Sequence, residues 1–446
     1  MHMLLLCLAT ALAQPAEEAA PPEALGPFEE GVAALQDGRA GDAKRLLQQA
    51  AADAPSDPDP LWELGWAHWV LEDYKAAAAT WGRVATLDPQ RTDLQQWLQT
   101  AKIRASYEPI DTSTISVPME AEGRSLTVAA AGDTMLGSDL KKGERGLAPG
   151  SGETILAATA SIFSAVDVAF LNLEGTLADG IPSTKCGPTS TSCYAFRTPT
   201  RYTAALTAAS IDVVSNANNH AMDLGIPGME STLAALDAAG VAHASRYGDI
   251  AMLERGGLKV AVVAAHSGSC CLNVNRLAEV QGAIVEADQE ADIVIFSFHG
   301  GAEGGGARHV PGRTEIAWGE RRGDVKALSR AAIDAGADLV VGHGPHVLRA
   351  MEVYRGRLIA YSMGNFVGYR QFGTRGGHGG TSAILEVELA ENGVLRAARI
   401  HPMMLDREGK PNPDPEGAAF LSIQELSDED FPESGIQIGA DGVIRW

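Results

Sequence analysis

From Ser125 onward, short apolar runs alternate with segments of helical periodicity. The apolar runs read LTVAAAG, DVAFLNLE, DVVSN, KVAVVAA, ADIVIFSFH and ADLVVGH, and helical patterns fall near residues 153–165, 228–239 and 322–335. Strands that alternate with helices predict a mostly parallel sheet covered on both faces. Two later runs, MEVYRGRLIAYSMGNF and AILEVELAENGVLRAARIHP, each break at a turn and predict antiparallel hairpins. We therefore expect an α/β core with added hairpins that are available to form a second sheet.

The N-terminal part of the chain carries a different, repeated pattern. Residues 27–94 divide into two windows offset by about 34 residues, the period of the tetratricopeptide repeat. The matched positions are Gly31 with Gly65, Ala43 with Ala77, Leu47 with Trp81, and Pro55 with Pro89. This register resembles that helix-turn-helix repeat over residues 24–106, with a capping helix near 94–104. An ordinary helical hairpin without a ligand and a docking platform for a protein partner both remain open.

The first residues, MHMLLLCLATALA, form a short apolar stretch that ends in a small-residue cleavage pattern. We therefore predict a signal peptide at residues 1–13 and an exported protein of the periplasm, the cell envelope or the extracellular space. An ordinary apolar terminus is the alternative, because no Lys or Arg precedes the stretch. Residues 107–124 are predicted to be a linker, and residues 125–446 the second domain.

The amino-acid composition of the chain excludes one class of partner. The chain has 446 residues, 45% of them apolar, and a formal net charge of −22. Such an acidic protein would be repelled by phosphate backbones, so we exclude nucleic acid as a partner. Removing the signal peptide would leave an even number of cysteines, which is compatible with an oxidising compartment. The spacing of Cys186 and Cys193 allows a disulfide or two thiols, whereas adjacent Cys270 and Cys271 predict two buried thiols, because vicinal disulfides are strained.

Five short polar motifs stand at or near the ends of the apolar runs. They are GDTMLG at 132–137, LNLEG at 171–175, NANNH at 216–220, SFHGGAE at 297–303 and GHGPH at 342–346. The carboxyl ends of neighbouring parallel strands open on one crevice, so we expect these side chains to meet in one site.

Two carboxylates in these motifs are candidate metal ligands. Asp133 emerges at the end of its run after Gly132, although a simple β-turn would give the same dipeptide. Glu174 ends a run too apolar to finish in a charge without a partner, because burying an uncompensated carboxylate is costly. A solvent-facing glutamate is the alternative there.

The motif NANNH supplies an amide and an imidazole side by side. The amide oxygen of Asn219 can bind a hard cation while His220 moves a proton. Helix capping by Asn218 or Asn219 is the alternative. Asp223 can orient His220 from the following turn, or it can lie on a helix surface.

Three further histidines complete the candidate set. His299 ends an apolar run, and His343 and His346 flank a rigid Gly-Pro turn that can aim both imidazoles at one point. The six candidate ligands mix oxygen and nitrogen without a thiolate, which suits one or two ions of manganese, iron or zinc. These six are Asp133, Glu174, Asn219, His299, His343 and His346. His220 would then be free to protonate a leaving group, with Asp223 beside it.

In this order, the motifs resemble the CapA family of bacterial capsule-synthesis proteins, which is related to the calcineurin-like metallophosphoesterases. The resemblance covers about Ser125 to Trp446 and includes DAGADLVVGHGPH and YSMGNF. It implies a four-layer sandwich of two mixed sheets flanked by helices, and a role linked to poly-γ-glutamate. Two positions depart from the enzymes: Met135 replaces a ligand histidine, and His343 and His346 are separated by two residues instead of one.

The same resemblance marks residues that would contact a substrate. Glu303 matches a recurring acidic position, and Asn365 lies in YSMGNF. Arg322 belongs to the insert after SFHGGAE and can meet a carboxylate or phosphate, although a solvated charged loop is equally compatible with its position. We assign these three residues to substrate binding.

Two functions follow from these patterns. The first is a metal-dependent hydrolase of phosphoester or γ-amide bonds, which acts on polyglutamate or another anionic envelope polymer. The second is a non-catalytic envelope protein that holds a polymer in the same pocket or binds a synthase partner through its repeats. Met135 and the altered histidine spacing favour the second.

Overall fold

The computed structural model describes residues 26–446, apart from 38, 72, 107–109, 142, 184, 187–192, 247 and 372–376. The predicted signal peptide, residues 1–13, lies outside the described residues. The chain divides into two compact units, residues 1–106 and 107–446. Among the described residues, no helix is both long and apolar enough to cross a membrane.

The first unit is built from helices that pack against their neighbours in sequence. Pro58 and Asp57 begin the third helix, because proline suits the first helical turn and the Asp57 side chain accepts from the Asp59 backbone N–H. Asp73 caps the fourth helix in the same way. The helices are α1 (Pro27–Gln36), α2 (Ala40–Asp53), α3 (Pro58–Val70), α4 (Tyr74–Leu87) and α5 (Leu94–Ser106).

The two helical pairs repeat one close contact. A side chain at Gly31 in α1 would overlap Leu47 in α2, and a side chain at Gly65 in α3 would overlap the Trp81 indole in α4. These residues occupy matched positions of the two sequence windows, so the glycine allows the same close helix approach in each pair. The resemblance to tetratricopeptide repeats is thereby confirmed in the helical architecture.

The second unit alternates strands with helices and then continues in long strands. Its helices are α6 (Ala160–Phe163), α7 (Thr203–Ala208), α8 (Gly225–Ala239), α9 (Leu277–Glu290), α10 (Val325–Asp334) and α11 (Ala418–Asp430). Its first strands are β1 (Ser125–Met135), β2 (Val168–Leu173), β3 (Thr176–Leu177), β4 (Arg197–Thr198), β5 (Val213–Ser215), β6 (Ala242–Ala244), β7 (Ala251–Arg255), β8 (Leu258–His266), β9 (Leu272–Asn273) and β10 (Ile293–His299). The later strands are β11 (Ile316–Ala317), β12 (Glu320–Arg321), β13 (Leu339–His343), β14 (Met351–Tyr354), β15 (Arg357–Ala360), β16 (Asn365–Gly368), β17 (Thr381–Ala390), β18 (Leu395–Leu405), β19 (Pro411–Pro413), β20 (Gln437–Ile438) and β21 (Val443–Arg445).

Most strands belong to two large mixed sheets. The first sheet has the order β20-β21-β18-β17-β1-β2-β5-β6, with β16 beside β1 and β19 beside β18. The second has the order β14-β15-β13-β10-β8-β7, with β9 beside β8. The sequence pattern led us to expect hairpins that were available to form a second sheet. Instead, the β17–β18 hairpin extends the first sheet and the β14–β15 hairpin extends the second. The parallel strands are themselves divided between the two.

The two sheets face each other across one apolar core. Residues from β1 and β2 pack there against residues from β8, β10 and β13. Helices α7 and α8 cover the outer face of the first sheet, and α9 and α10 contact the outer face of the second. The unit therefore has four layers, as the sequence resemblance implied.

The repeated glycine contact in the first unit can be tested with a matched pair of substitutions. Gly65→Ala should lower the free energy of unfolding of this unit by about 1–3 kcal/mol, because the new methyl group overlaps Trp81. Gly82→Ala is the control, since its methyl group would meet nothing within 4 Å. It should stabilise α4 by about 1 kcal/mol through helix propensity. Urea unfolding followed by tryptophan fluorescence measures both, and equal effects would contradict the proposed contact.

Candidate metal centre

Strand alternation aims a set of polar side chains into the space between the two sheets. In β2, Val168 and Phe170 belong to the core between the sheets, so the next residues on that face are Asn172 and Glu174. In the second sheet, the last inward-facing residues of β8, β10 and β13 are all histidines. Parallel register aligns them in one row: His266, His299 and His343.

Asp133 reaches the same space only because β1 contains a bulge. Ala130 faces the core between the sheets, whereas Ala131 packs on the outer face. Strict alternation would send Asp133 outward with Ala131. The register between β1 and β2 shifts between these two residues, so that Gly132 is the extra residue and Asp133 pairs with Asn172. A side chain at Gly132 would overlap the Gly364 carbonyl oxygen, so only glycine fits the bulge.

The Asp133 carboxylate is the centre of the buried polar contacts. Its Oδ1 accepts a hydrogen bond from Asn172 Nδ2 at 2.8 Å and lies 3.5 Å from His343 Nδ1 and 3.8 Å from His299 Nδ1. Its Oδ2 lies 2.9 Å from His346 Nδ1. Both histidines of GHGPH therefore reach Asp133 despite their unusual spacing.

Glu174 approaches the same group from the loop after β2. Its Oε1 lies 3.6 Å from His346 Nε2 and 3.9 Å from both His299 Nε2 and His220 Nε2. The residue is only 1% exposed, and Oε1 has no hydrogen-bond partner among the described residues. Such a buried carboxylate oxygen requires compensation by a cation or a proton.

The donor atoms fit a divalent cation. Asp133, Glu174 and His346 each offer one ligand atom, all within 4.8 Å of one another. Within the described part of the chain, several other buried lone-pair atoms also have no hydrogen-bond partner. These are His299 Nε2, both ring nitrogens of His343, and Asn219 Oδ1. Oxygen and imidazole donors without thiolate are typical of manganese, iron or zinc sites.

His220 and Asp223 form a separate hydrogen-bonded pair beside Glu174. His220 Nδ1 lies 2.7 Å from Asp223 Oδ2, and the Asp223 side chain is fully buried. The His220 ring also packs against the tilted Phe196 ring, with centroids 4.3 Å apart. The contact with Asp223 leaves Nε2 as the nitrogen that faces Glu174. Asp223 is therefore not a surface helix residue.

The predicted substrate residues take two different positions. Glu303 accepts hydrogen bonds from Arg322 Nη2 at 2.9 Å and from Trp318 Nε1 at 2.7 Å. Arg322 is buried, and its Nη1 has no hydrogen-bond partner among the described residues. Asn365 instead donates from Nδ2 to the His346 carbonyl at 3.2 Å, and it pairs with Asp133 in the sheet. Asn365 thus supports the loop that carries His346.

Met135, which stands where the resemblance expects a ligand histidine, is buried. Its Sδ accepts a hydrogen bond from Gly137 N at 3.1 Å. This sulfur therefore has a backbone partner of its own.

Three residues of this region were missed by the sequence reasoning. Asn172 donates to Asp133 and accepts from Asn218 Nδ2 at 3.0 Å, and Asn218 Oδ1 in turn accepts from His220 N at 3.1 Å. These amides connect the carboxylate to the loop that carries His220. His266 lies in the histidine row, where its Nε2 accepts from Gly268 N. Strand alternation could have identified Asn172, because it lies two residues before Glu174. His266 could have been identified from its position at the end of an apolar run.

Burial and neighbouring charges shift the pKa values of this group in opposite directions. Burial raises the pKa of Glu174 to about 8. Burial alone would lower the pKa of His346, but the negative charges of Glu174 and Asp133 raise it to about 10. Burial also disfavours the charged form of Asp133, yet the neighbouring imidazoles of His343 and His346 hold its pKa well below its usual range. At neutral pH and without a cation, two of these groups therefore hold protons.

Burial keeps His299, His266 and His220 neutral. Burial lowers the pKa of His299 well below its usual range and that of His266 to about 3. Burial also lowers the pKa of His220, although the hydrogen bond with Asp223 opposes the shift. Neutral imidazoles keep the lone pairs that metal binding or proton uptake requires.

Two disulfides lie in the loops of this unit. Cys186 and Cys193 are bonded, with their Cα atoms 5.6 Å apart. Cys270 and Cys271 are also bonded, so the expectation of two thiols there is wrong. The chain bends through residues 267–271, and this local conformation brings the adjacent sulfur atoms together.

Two family profiles match the chain. The profile described as "Bacterial capsule synthesis protein PGA_cap" matches residues 127–370, which contain all the site residues described above. The profile described as "Tetratricopeptide repeat" matches residues 28–92.

Several individual proteins are similar over part of this chain. The "PGA biosynthesis protein CapA" of Bacillus subtilis is 34% identical over 41% of this chain and 48% of its own length. The "Capsule biosynthesis protein CapA" of Bacillus anthracis is 29% identical over 46% of this chain and 50% of its own length. The chain thus spans about half the length of these relatives. A solved 5'-nucleotidase precursor from Thermus thermophilus superposes with a TM-score of 0.36 at 15% identity, covering 69% of this chain and 59% of that one.

Metal binding can be tested directly on the carboxylates. Glu174→Gln and Asp133→Asn should each weaken Mn²⁺ binding by at least about tenfold, because each removes a carboxylate that would be ionised when the cation is bound. Glu408→Gln removes a carboxylate that pairs with Arg370 and Lys410 at the surface, so it serves as the control. Isothermal titration calorimetry and elemental analysis after desalting measure the effect. Unchanged binding in both site variants would contradict the assignment.

The pKa shifts predict how metal binding depends on pH. Below about pH 8, a bound cation must displace the proton of Glu174, and it must also displace the proton of His346. The affinity for Mn²⁺ should therefore rise from pH 6 to pH 8, by roughly tenfold per pH unit for each proton released. Calorimetry in buffers of different ionisation enthalpy counts these protons. A constant affinity over this range would refute the prediction, and Glu174→Gln should release one proton fewer.

Proposed function

The chain belongs to the bacterial capsule synthesis protein family PGA_cap, and from this premise we propose that it is a metal-dependent hydrolase. Its reaction would cleave phosphoester or γ-amide bonds during the synthesis or processing of a poly-γ-glutamate capsule. One observation carries the proposal. The buried Oε1 of Glu174 has no hydrogen-bond partner among the described residues and lies within 3.9 Å of three imidazole nitrogens, one of which belongs to the His220–Asp223 pair.

Six residues would hold the cofactor. They are Asp133, Glu174, Asn219, His299, His343 and His346, and the cation would be one or two ions of manganese, iron or zinc. When bound, such an ion supplies Lewis acidity and lowers the pKa of water. Glu174 lies between the imidazoles of both sheets, so it is the candidate for a ligand shared by two ions. The buried amide Asn172 would keep Asp133 oriented toward the site.

His220 would carry the proton transfer. Its Nδ1 is held by Asp223, so its Nε2 faces Glu174, beside which the reacting bond would lie. Asp223 has a fully buried side chain and would stabilise the imidazolium that forms when His220 takes up the proton released by the attacking water. The imidazolium can then protonate the leaving oxygen or nitrogen. The low pKa of His220 in the resting site keeps the ring neutral until a proton arrives.

An anionic group of the substrate would meet Arg322. Glu303 accepts a hydrogen bond from Nη2 of this buried guanidinium. Its Nη1 has no hydrogen-bond partner among the described residues. The positive charge lies close enough to lower the pKa of His299 and His266. A carboxylate or phosphate bound to Nη1 would therefore lie beside the candidate metal ligands.

Location and partners follow from the family and the sequence. We propose an exported protein of the cell envelope, which is where relatives named for capsule biosynthesis would act. Its polymer would be polyglutamate or another anionic chain, with cations offsetting the protein's net charge of −22. The N-terminal repeats would bind a protein partner, a common use of such helical arrays.

A second candidate is a non-catalytic envelope component. Met135 supports it, because its sulfur accepts from Gly137 N and occupies the position of an expected ligand histidine. In this case the pocket would hold a polymer end, or the repeats would join a synthase. Absence of bound transition metal in freshly purified protein, together with specific retention of a membrane synthase by the full chain, would favour this candidate.

Hydrolysis by the purified protein tests the main proposal. With added Mn²⁺, the protein should hydrolyse a chromogenic phosphodiester or γ-linked polyglutamate. His220→Ala should lower kcat by about 10²–10⁴-fold, because it removes the proton donor. Steady-state kinetics with both substrates provide the measurement.

The control for this experiment is His309→Ala. His309 is an exposed histidine that pairs with Asp430 and Glu429, so its loss should leave kcat unchanged. Full activity in His220→Ala would overturn the proposed mechanism. Absence of turnover in the metal-loaded wild-type protein would overturn the hydrolase itself.

A further inference from the structure

Lys185 contacts the pair to which the proton transfer is assigned. Its Nζ donates to Asp223 Oδ1 and to the Asn219 carbonyl oxygen, the second at 2.9 Å. Its side chain is one-third exposed, whereas the Asp223 side chain is fully buried. A flexible lysine on the surface thus ends in a contact with a buried carboxylate.

Among the described residues, three side-chain and backbone donors constrain the Asp223 carboxylate. Oδ2 accepts from Phe196 N at 2.6 Å and from His220 Nδ1 at 2.7 Å, while Oδ1 accepts from Lys185. The Asp223 backbone carbonyl also accepts from Ser183 Oγ at 2.7 Å. With Lys185 on Oδ1, the carboxylate cannot rotate without losing an ion pair, so Oδ2 stays directed at His220.

A disulfide joins the two chain segments that make these contacts. Cys186 directly follows Lys185, and Cys193 precedes Phe196 by three residues. The bond between Cys186 and Cys193 therefore holds both segments against Asp223. Lys141 is a second lysine near this disulfide: its Nζ donates to the Cys193 carbonyl at 2.9 Å and lies over the Tyr194 ring.

We propose that Lys185 is a positioning residue for the His220–Asp223 pair and that the Cys186–Cys193 disulfide keeps it in place. This inference rests on the proposed hydrolase function, because it assigns Lys185 a part in the proton transfer. Lys185 acts through Asp223. Its loss should therefore slow the chemical step and leave substrate binding intact.

The experiment compares four variants of the full chain in the oxidised state. Lys185→Met should lower kcat by about 10–100-fold with little change in KM, and Lys185→Arg should recover most of the activity. Lys141→Met is the matched control, since it removes a positive charge that contacts the same loop at Cys193 instead of at Asp223. The Cys186→Ser/Cys193→Ser double variant should lower kcat in the same direction as Lys185→Met. Serine variants are preferable to a reductant, which would also reduce Cys270–Cys271.

A second readout does not depend on turnover. The Phe196 N–H donates to Asp223 Oδ2, so its hydrogen-exchange rate reports whether the carboxylate is held in place. Exchange at Phe196 should be at least about tenfold faster in Lys185→Met and in the double cysteine variant. It should be unchanged in Lys141→Met.

The outcomes separate this inference from the hydrolase proposal. Equal kcat and equal Phe196 exchange in Lys185→Met and Lys141→Met would overturn the role of Lys185. An increase in KM at constant kcat would mean that Lys185 binds substrate, and would also overturn it. Unchanged kcat and unchanged Phe196 exchange in the double cysteine variant would show that the disulfide does not keep Lys185 in place. If the wild-type protein shows no hydrolysis, the hydrolase fails, and the exchange rates alone decide whether Lys185 holds Asp223.

Discussion

Two carboxylates, Asp133 and Glu174, lie buried between two sheets whose other facing residues are mostly apolar. Each is only 1% exposed, so neither is solvated by bulk water. Burying a charge is costly unless it is paired, and the protein surrounds these two with imidazoles from the second sheet and its loops. Burial raises the pKa of Glu174, and the two carboxylates raise that of His346, so the group holds protons that a cation can replace. The need to compensate these charges explains why so many lone pairs converge at one edge of the sandwich.

One backbone irregularity makes this convergence possible. Alternation in β2, β10 and β13 directs Asn172, His299 and His343 inward without any special feature. In β1, the same alternation would place Asp133 on the outer face, and the bulge at Gly132 reverses its direction. The Gly364 carbonyl occupies the space that a side chain at Gly132 would need, and it also accepts from Asp133 N at 2.8 Å. The bulge, the close approach of the β16 segment and the position of the carboxylate are therefore one structural feature.

The residues of the site are positioned partly by strands and partly by loops. Strands hold Asp133, His299 and His343, so their positions follow from sheet register and from a packed core. Loops hold Glu174, Asn219, His220 and His346. In these loops His220 N donates to Asn218 Oδ1, and Asn365 Nδ2 donates to the His346 carbonyl oxygen. The His220–Asp223 pair is held by a further loop that carries a disulfide. The candidate ligands on strands are therefore held by sheet register, whereas the His220–Asp223 pair depends on contacts that a single substitution can remove.

The sequence by itself determined the α/β class, the helical repeats and most of the side chains that meet in the site. Strand ends and helix pairs can be recognised locally in the sequence. Their signals are apolar alternation, glycine positions and polar motifs, each of which spans only a few neighbouring residues. Only the tertiary structure decided which sheet each strand joins and that Cys270 and Cys271 are bonded. Contacts such as Asp133 with His346 or Lys185 with Asp223 join residues far apart in the chain. Their geometry depends on register, on the bulge at Gly132 and on loop packing, and none of these leaves a periodic signal in the amino-acid sequence.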